Sequence, residues 1–519
     1  MKSALIVLSA LLLCVTTLTA QQFKVEKSDE FDEPAHGWNK LFQLSNGNTF
    51  FFQGTDRDGV TISVYDKQRK PAGTKSLATK LWDLGDISDA RILGLYEING
   101  EPVLFVNQSN VLYRVRLNPA DGSLVNEEEL AKDFEGAVAV DPASGCYAVV
   151  ETGTVPGDRR GQTIKVSHYD ANHKKLNEST YPLTGTGYKY VRFSQLTVDG
   201  NKSVYLALRG YKGDPFSRST PFRFVISRLN AGDKAFTSKP LNMKAELEGT
   251  ENYTECAFNK KLNRVQVITM VKVESTKKAL SQKTTDYYAT LLICIDAESL
   301  NFTAVKPLYG EKISAYAQRH IDKDYSYDGM TSGMRMNDDN TTTILMEEYG
   351  NYDKKEFLGA IGISELNDTG AEQAGYAIGK NQVTEGYSPL MEQNKKSRGE
   401  YKIHKHVLDN ARYMSYDYLI TPKGHYVIFN DLPENFKREE DESKRQKMSA
   451  ITGASAFCFR LNGDNIDRFY LFGEPDSKSS AFCYIDGSDF NKASNTYATV
   501  VTEREGHGKN CRVAWVTFE

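Results

Sequence analysis

"RVAWVTFE", residues 512–519, ends the chain on an apolar run in which Trp515 and Phe518 read as parts of a buried strand. A strand that stops inside a core needs a context, and seven other stretches supply it. Runs that end in an apolar residue followed by Asp or Asn close at Asp66 ("TISVYD"), Asn118 ("LYRVRLN"), Asp170 ("IKVSHYD"), Asn230 ("FVISRLN"), Asp296 ("TLLICID"), Asn367 ("AIGISELN") and Asn462 ("SAFCFRLN"). Ahead of each lies another run rich in Val, Ile, Tyr and Phe, introduced by a tight turn: "SNGN" before "TFFFQG", "INGE" before "PVLFVN", "VDGN" before "SVYLALRG". Asn-Gly and Asp-Gly between apolar runs are hairpin signals. Each unit therefore reads strand, tight turn, strand, loop, strand, Asx turn, strand.

Equivalent positions recur at intervals of 52, 52, 60, 66, 71, 95 and 57 residues, the last measured to Glu519. No long stretch shows convincing helical periodicity, so the class is all-β. Four antiparallel strands repeated in this way resemble the β-propeller superfold over the whole of residues 21–519, and the resemblance implies one eight-bladed ring. "VTFE" falls where "SVYD" and "SRLN" fall in other units, so the eighth blade lacks its fourth strand. "QQFKVEKSDE", residues 21–30, alternates apolar and polar positions and precedes the first full unit at Trp38. It is expected to pair with "RVAWVTFE", closing the ring and covering an edge that would otherwise be a liability. No repeated Trp-Asp signature, kelch Gly-Gly pattern or sialidase Ser-x-Asp-x-Gly-x-Thr-Trp box appears. With only Trp38, Trp82 and Trp515, the tryptophan motifs of eight-bladed quinoprotein dehydrogenases are missing too. The resemblance is to a superfold and brings no function with it.

"MKSALIVLSALLLCVTTLTA", residues 1–20, has one Lys ahead of a short apolar run and ends on a small residue, the layout of a cleaved signal peptide. Residues 21–519 are then expected to be exported, to the periplasm or outside the cell, as a soluble chain, since no later segment approaches ~18 uninterrupted apolar residues. Cys14 follows Leu13 within the apolar run rather than a small residue, so no lipid anchor is expected. The net charge of −4, with 25% charged residues, describes an ordinary solvated surface and points to neither nucleic acid nor an anionic membrane. Six cysteines remain after residue 20, most of them in strand-like contexts such as "SAFCFR" and "SAFCYID", and buried free thiols are expected rather than bridges. Sequons at Asn107, Asn177, Asn201, Asn252, Asn301, Asn340 and Asn367 matter only where such sites are glycosylated.

In a propeller, the turns from first to second strand lie on one face and the loops from second to third on the other. Here the first set is short, and the second grows into "TGTVPGDRRGQ", "YKGDPFSRSTPF", "KVESTKKALSQKTTD", "YGNYDKKEF" and "DLPENFKREEDESKRQKMSAITG". Binding residues concentrate on long loops carried by a rigid scaffold. That face is expected to bind through Arg159, Arg160, Tyr211, Arg218, Tyr316, Tyr325, Tyr327 and Tyr352, because Tyr combines apolar area with a polar tip and Arg is a frequent anchor. The longest insertion, "EGYSPLMEQNKKSRGEYKIHKHVLDNARYMSYD", precedes the seventh blade and opens on the same face.

Chemistry-bearing patterns are few. Asp322, Asp324, Ser326 and Asp328 alternate in "DKDYSYD" and could converge oxygens on Ca²⁺, although Tyr327 holds the place of the turn glycine of an EF-hand; a solvated acidic loop is the plainer reading. His404 and His406 fall on one face of any strand they form but lack a third ligand nearby. His36 and His507, with Glu503 or Glu505, would be brought near each other by ring closure and could do acid–base work, or be ordinary loop residues. "KREEDESKRQK", residues 437–447, reads as a solvated stretch of mixed charge. No Gly-rich phosphate loop, nucleophile elbow or CxxC pair appears. The leading expectation is a monomeric binding or scaffolding module that engages a protein, peptide or glycan, without nucleic acid or membrane insertion and with no cofactor beyond Ca²⁺. The alternative is a propeller-fold hydrolase or lyase with its site at the channel mouth; an inert component of a secreted complex comes third.

Overall fold

Residues that alternate between two apolar faces build a four-stranded sheet that cannot bury either face alone, so neighbouring sheets must stack on both sides. The structure, a computed structural model, describes residues 23–518 except 35–36, 56–58, 80–89, 183–186, 218–219, 242–253, 274–286, 338, 340, 353–354, 403–410, 437–444, 477–478 and 506–507. Among the described residues, eight antiparallel sheets follow one another along the chain. Their innermost strands are Trp38–Gln43, Arg91–Ile98, Glu135–Val140, Tyr190–Asp199, Thr254–Asn259, Met330–Met336 and Asp417–Thr421. In the eighth sheet the inner strand comes in two pieces, Ser479–Cys483 and Asp489–Asn491. Buried clusters join each sheet to the next. Phe52, Val60, Leu104 and Val115 fill the first such seam, Phe105 and Tyr147 the second, Val166 and Leu206 the third, and Phe224 and Val267 the fourth. One larger cluster runs through the fifth, sixth and seventh sheets, from Ile268 by Ile344 to Phe459. Ile428 meets Tyr497 and Val516 next, and Leu41 and Phe51 of the first sheet meet Trp515 of the eighth. The seams return to their start. The protein is an eight-bladed β-propeller.

The last blade is completed by the beginning of the described chain. Phe23–Lys27 runs antiparallel to the final strand, Gly508–Phe518, with Phe23 opposite Phe518, Val25 opposite Val516 and Lys27 opposite Ala514. Ser28 N–H continues the ladder to Val513 O at 2.9 Å. Phe23 is buried, its ring centre 6.1 Å from that of Phe518 and 6.3 Å from that of Phe469 in the seventh blade. Trp515 is fully buried and donates its indole N–H to Thr49 Oγ1 of the first blade at 3.0 Å. Residues 1–22, which include the expected signal peptide and the first two residues of the expected closing strand, lie outside the described residues.

Three features differ from the sequence expectation. Several apparent long loops between second and third strands are continuous ladders that end in tight turns: Val155 faces Asp158 and Tyr352 faces Lys355, so "TGTVPGDRRGQ" and "YGNYDKKEF" are projecting ribbons. The connection before the sixth blade holds a helix, Glu311–His320, whose buried Ile313, Tyr316 and Ala317 lie at helical spacing. The third difference is the insertion before the seventh blade, which enters the channel. Its helix Glu392–Ser397 packs on the sixth blade, and Tyr401–Lys402 adds a strand to the inner edge of the second blade, opposite Ile92 and Arg91. Two glycines make room for it. A Cβ on Gly333 would come within 2.8 Å of Gln393 Cβ, and one on Gly399, which has φ 67°, within 2.9 Å of Leu95 Cβ. The six described cysteines are free thiols, five of them buried, as expected for small apolar side chains in strands.

Candidate functional site

The expected arginines lie on the ribbon of the third blade. Arg159 and Arg160 are both exposed on the strand Asp158–Tyr169. Arg160 donates from Nε to Asp158 Oδ1 at 2.8 Å, and its guanidinium lies 5.1 Å from the ring centre of Tyr190, the first residue of the fourth blade. Lys189 approaches the same ring at 5.4 Å. Two residues further on, the Arg192 guanidinium sits 4.9 Å from the ring centre of Phe216. Phe216 belongs to the connection between Tyr211 and Phe222, held by its N–H to Asp214 Oδ1 at 2.9 Å, and it is 59% exposed, the most exposed large apolar side chain among the described residues. Tyr190 is buried, so its ring serves as a floor for cations, whereas Phe216 offers its surface outward. Cations over aromatic faces contribute about 0.5–1 kcal/mol each at exposed sites and fix the geometry of the side chains involved.

The remaining expected positions are scattered. Tyr211 is buried with its ring 5.9 Å from Phe222, because it continues the inward-facing row of its strand. Tyr316 is buried between His320, at 4.3 Å, and Tyr376, at 5.7 Å. Tyr327 is buried too, filling space left by Gly329 and Gly362 and donating to Ala360 O at 3.3 Å. These three tyrosines are packing residues of the blades rather than parts of an exposed face: Tyr211 and Tyr316 pack against neighbouring aromatic rings, and Tyr327 fills the space that the two glycines leave. Tyr325 is half-buried and donates to both Glu348 carboxylate oxygens at 2.8 Å. Tyr352 ends the sixth blade's ribbon, and its side chain is outside the described residues, as are Arg218, His404 and His406. Asp322, Asp324 and Asp328 are exposed, and Asp322 Oδ1 accepts the Asp324 N–H at 3.0 Å in its own turn. Among the described residues no three His, Cys, Asp or Glu side chains stand close enough to share a metal ion. His36 and His507 lie outside the described residues; Lys509, in the final strand, pairs with Glu33 at 3.1 Å. Glu503 is taken by Lys27 at 2.6 Å and Arg512 at 3.2 Å.

The channel holds the charges that sequence reading missed. Arg398, on the insertion, donates Nη1 and Nη2 to Glu255 of the fifth blade's inner strand at 2.7 and 3.1 Å, and Nε to Glu400 at 2.5 Å. Burial alone would lower the guanidinium pKa; the two carboxylates reverse that and raise it. Beside this triad lies a cavity of about 980 Å³ lined by the inner strands and by the insertion. It reaches the face of the tight turns, at Asp141 and Pro142. No local pattern marks Arg398 or Glu255, since the pairing joins positions 143 residues apart. Phe216 stands after an Asp-Pro turn in a loop already singled out, but the residues expected to bind there were Tyr211 and Arg218.

No family model matches the chain, and no curated protein sequence is similar to it. Among solved structures, the Dos1 propeller is similar over 94% of each chain at 10% identity, with a TM-score of 0.43. The polysaccharide lyase Uly1 is similar over 84% of this chain and 91% of its own at 9% identity, with a TM-score of 0.38. Hydrazine synthase of Kuenenia stuttgartiensis is similar over 64% of this chain and 79% of its own at 12% identity, with a TM-score of 0.36. Likenesses at this level carry no argument about what this chain does. No helix of the described residues is long and apolar enough to cross a membrane.

Proposed function

We propose that the protein is an exported binding or scaffolding module that engages a protein, peptide or glycan through the rim formed by its third and fourth blades. One observation carries the reading: an exposed Phe216, backed by Arg192, stands beside the cationic ribbon of Arg159 and Arg160. An exposed aromatic side chain with one guanidinium over its ring, on the rim next to further arginines, offers stacking area and charge-assisted donors at once, the composition of interface anchors.

The reading is tested with the purified chain from residue 21 onward on a glycan array and in pull-downs, run in parallel with Phe216→Ala and Arg192→Ala. Both variants are expected to keep the parent's thermal stability within about 0.5 kcal/mol, as surface changes do. Both should lose a partner that the parent retains. A partner retained equally by parent and variants would show that binding does not use this rim.

A further inference from the structure

A polar groove between the sixth and seventh blades carries a second inference, independent of the rim. Its volume is about 670 Å³, within the range of ordinary ligand sites. One wall is the end of the helix Glu311–His320 and the turn after it, with Arg319, His320, Asp322 and Lys323. The other wall belongs to the seventh blade and carries Arg445 and Arg468. Among the described residues, four permanent cations and a histidine thus line the groove against one carboxylate, in a chain whose net charge is −4.

The cations are positioned mainly by neutral contacts. The Arg319 guanidinium lies 6.0 Å from the ring centre of Tyr316, and that of Arg468 lies 5.6 Å from the ring centre of Phe459. Arg445 donates Nη1 to Gly379 O at 2.9 Å. Asp322, the lining carboxylate, accepts the Asp324 N–H at 3.0 Å in its own turn. Asp464 stands 3.8 Å from Arg319, but the two side chains are 86% and 58% exposed, and such a surface pair is weak. His320 and Lys323 are exposed as well, so one wall meets solvent directly. Arg468 and Arg319, from opposite walls, both lie near enough to the Tyr316 hydroxyl to favour its ionisation, although burial outweighs them and raises its pKa to about 12.

The lining selects the ligand. Tyr316 and Phe459 are buried, each beneath a guanidinium, so an apolar anchor finds no open ring face. The outer strand of the sixth blade, Glu372–Ile378, borders the groove, but the helix packs on its edge: a Cβ on Gly375 would come within 2.4 Å of Ile313 N. An extended peptide therefore finds no ladder to join there. Guanidinium forks match the paired oxygens of sulfate and carboxylate, and hydroxyl-rich rings carrying such groups need no apolar pocket. We propose that this groove binds an acidic oligosaccharide, bearing several sulfate or carboxylate groups, with those groups on Arg319, Lys323, Arg445 and Arg468.

Titration calorimetry of the full chain with a heparin-derived tetrasaccharide, tetragalacturonate, maltotetraose and tetraglutamate tests this. At least one of the two acidic sugars is expected to bind one-to-one, about tenfold or more tighter than maltotetraose and tetraglutamate, and the preference between the two tells sulfate from carboxylate. Its affinity should fall about tenfold or more between about 0.05 and about 0.5 M NaCl, as screening of exposed charges implies. Arg319→Gln combined with Lys323→Gln should weaken it by about tenfold without loss of stability, since both side chains are exposed. Asp322→Asn keeps the turn acceptor and removes the one lining carboxylate, so it should tighten binding about twofold or more. Arg159→Gln combined with Arg160→Gln should leave binding unchanged. Binding by neither acidic sugar, equal binding of maltotetraose or tetraglutamate, insensitivity to salt, or parent-like affinity in the Arg319 and Lys323 variant each overturns the proposal. Loss confined to the Arg159 and Arg160 variant would place the sugar on the rim and overturn it as well.

Discussion

Arg398 and Glu255 are 143 positions apart in the chain and share a two-pronged ion pair in the middle of the ring, at 2.7 and 3.1 Å. The pair fastens an insertion from between the sixth and seventh blades to the inner strand of the fifth. Glu255 is almost fully buried, and the Arg398 side chain is a quarter exposed. Removing one partner leaves the other charge poorly compensated, so Glu255→Gln is expected to cost about 2–3 kcal/mol, below the range of about 3–5 kcal/mol for fully buried pairs because of that exposure. Urea unfolding measures the cost. Exchange protection at Tyr401 and Lys402 should fall in parallel if the pair is what seats the insertion.

A second ion pair is fully enclosed. Lys380 Nζ lies 2.7 Å from Glu347 Oε1, and neither side chain is exposed. Ser415 donates to Glu347 Oε2 at 2.8 Å, and Lys380 donates to Gln382 Oε1 at 3.1 Å. Lys380→Met alone should destabilise by about 3–5 kcal/mol, since it strands a buried carboxylate. Adding Glu347→Leu should recover most of that loss, because the pair as a whole gains little over an apolar replacement. A double variant as unstable as the single one would show that Glu347 holds Ser415 and the insertion by more than charge.

Asp431 sets a pH dependence. It is buried at the end of a second strand, and that burial pushes its pKa up to about 6 despite hydrogen bonds from Asn435 and the Leu432 N–H. The folded state therefore holds a proton more tightly than the unfolded chain. Its contribution is fully present below the ordinary carboxyl range and is lost as pH rises through about 6. Relative to Asp431→Asn, the parent should gain on the order of 1–3 kcal/mol between about pH 7 and about pH 4. Urea midpoints of the two proteins across that interval give the answer, and parallel curves would mean that Asp431 titrates normally.

The ring was legible because its signals are local and repeated. Turn pairs such as Asn99-Gly100 and strand ends such as Asp170 and Asn230 mark the blades without knowledge of their neighbours. The closing strand was legible from the alternation around Phe23 and Val25 combined with the missing fourth strand. The ribbons were not, since Pro156-Gly157 inside a polar stretch looks the same whether the flanking residues pair or loop out. The channel charges were invisible for a deeper reason. Glu255 and Arg398 acquire their roles only when the ring brings two distant segments together, and nothing near either of them in sequence records that meeting. Tyr211, Tyr316 and Tyr327 illustrate the converse, as Tyr suits an interface and a blade seam equally well.

The first strand of the described chain closes the ring. Phe23–Lys27 forms the outer edge of the eighth blade, and Phe23 alone, a buried aromatic, should cost about 3–5 kcal/mol when changed to Ala. Amide hydrogen exchange, measured by NMR or by mass spectrometry of overlapping peptides, reports on this closure strand by strand. The amides of Phe23–Lys27 that bond the final strand should exchange as slowly as those of Val513–Phe518, and deleting residues 21–30 should speed exchange in Val513–Phe518 while lowering the melting temperature of the whole protein. Rapid exchange throughout Phe23–Lys27, with a deletion variant that melts like the parent, would contradict it.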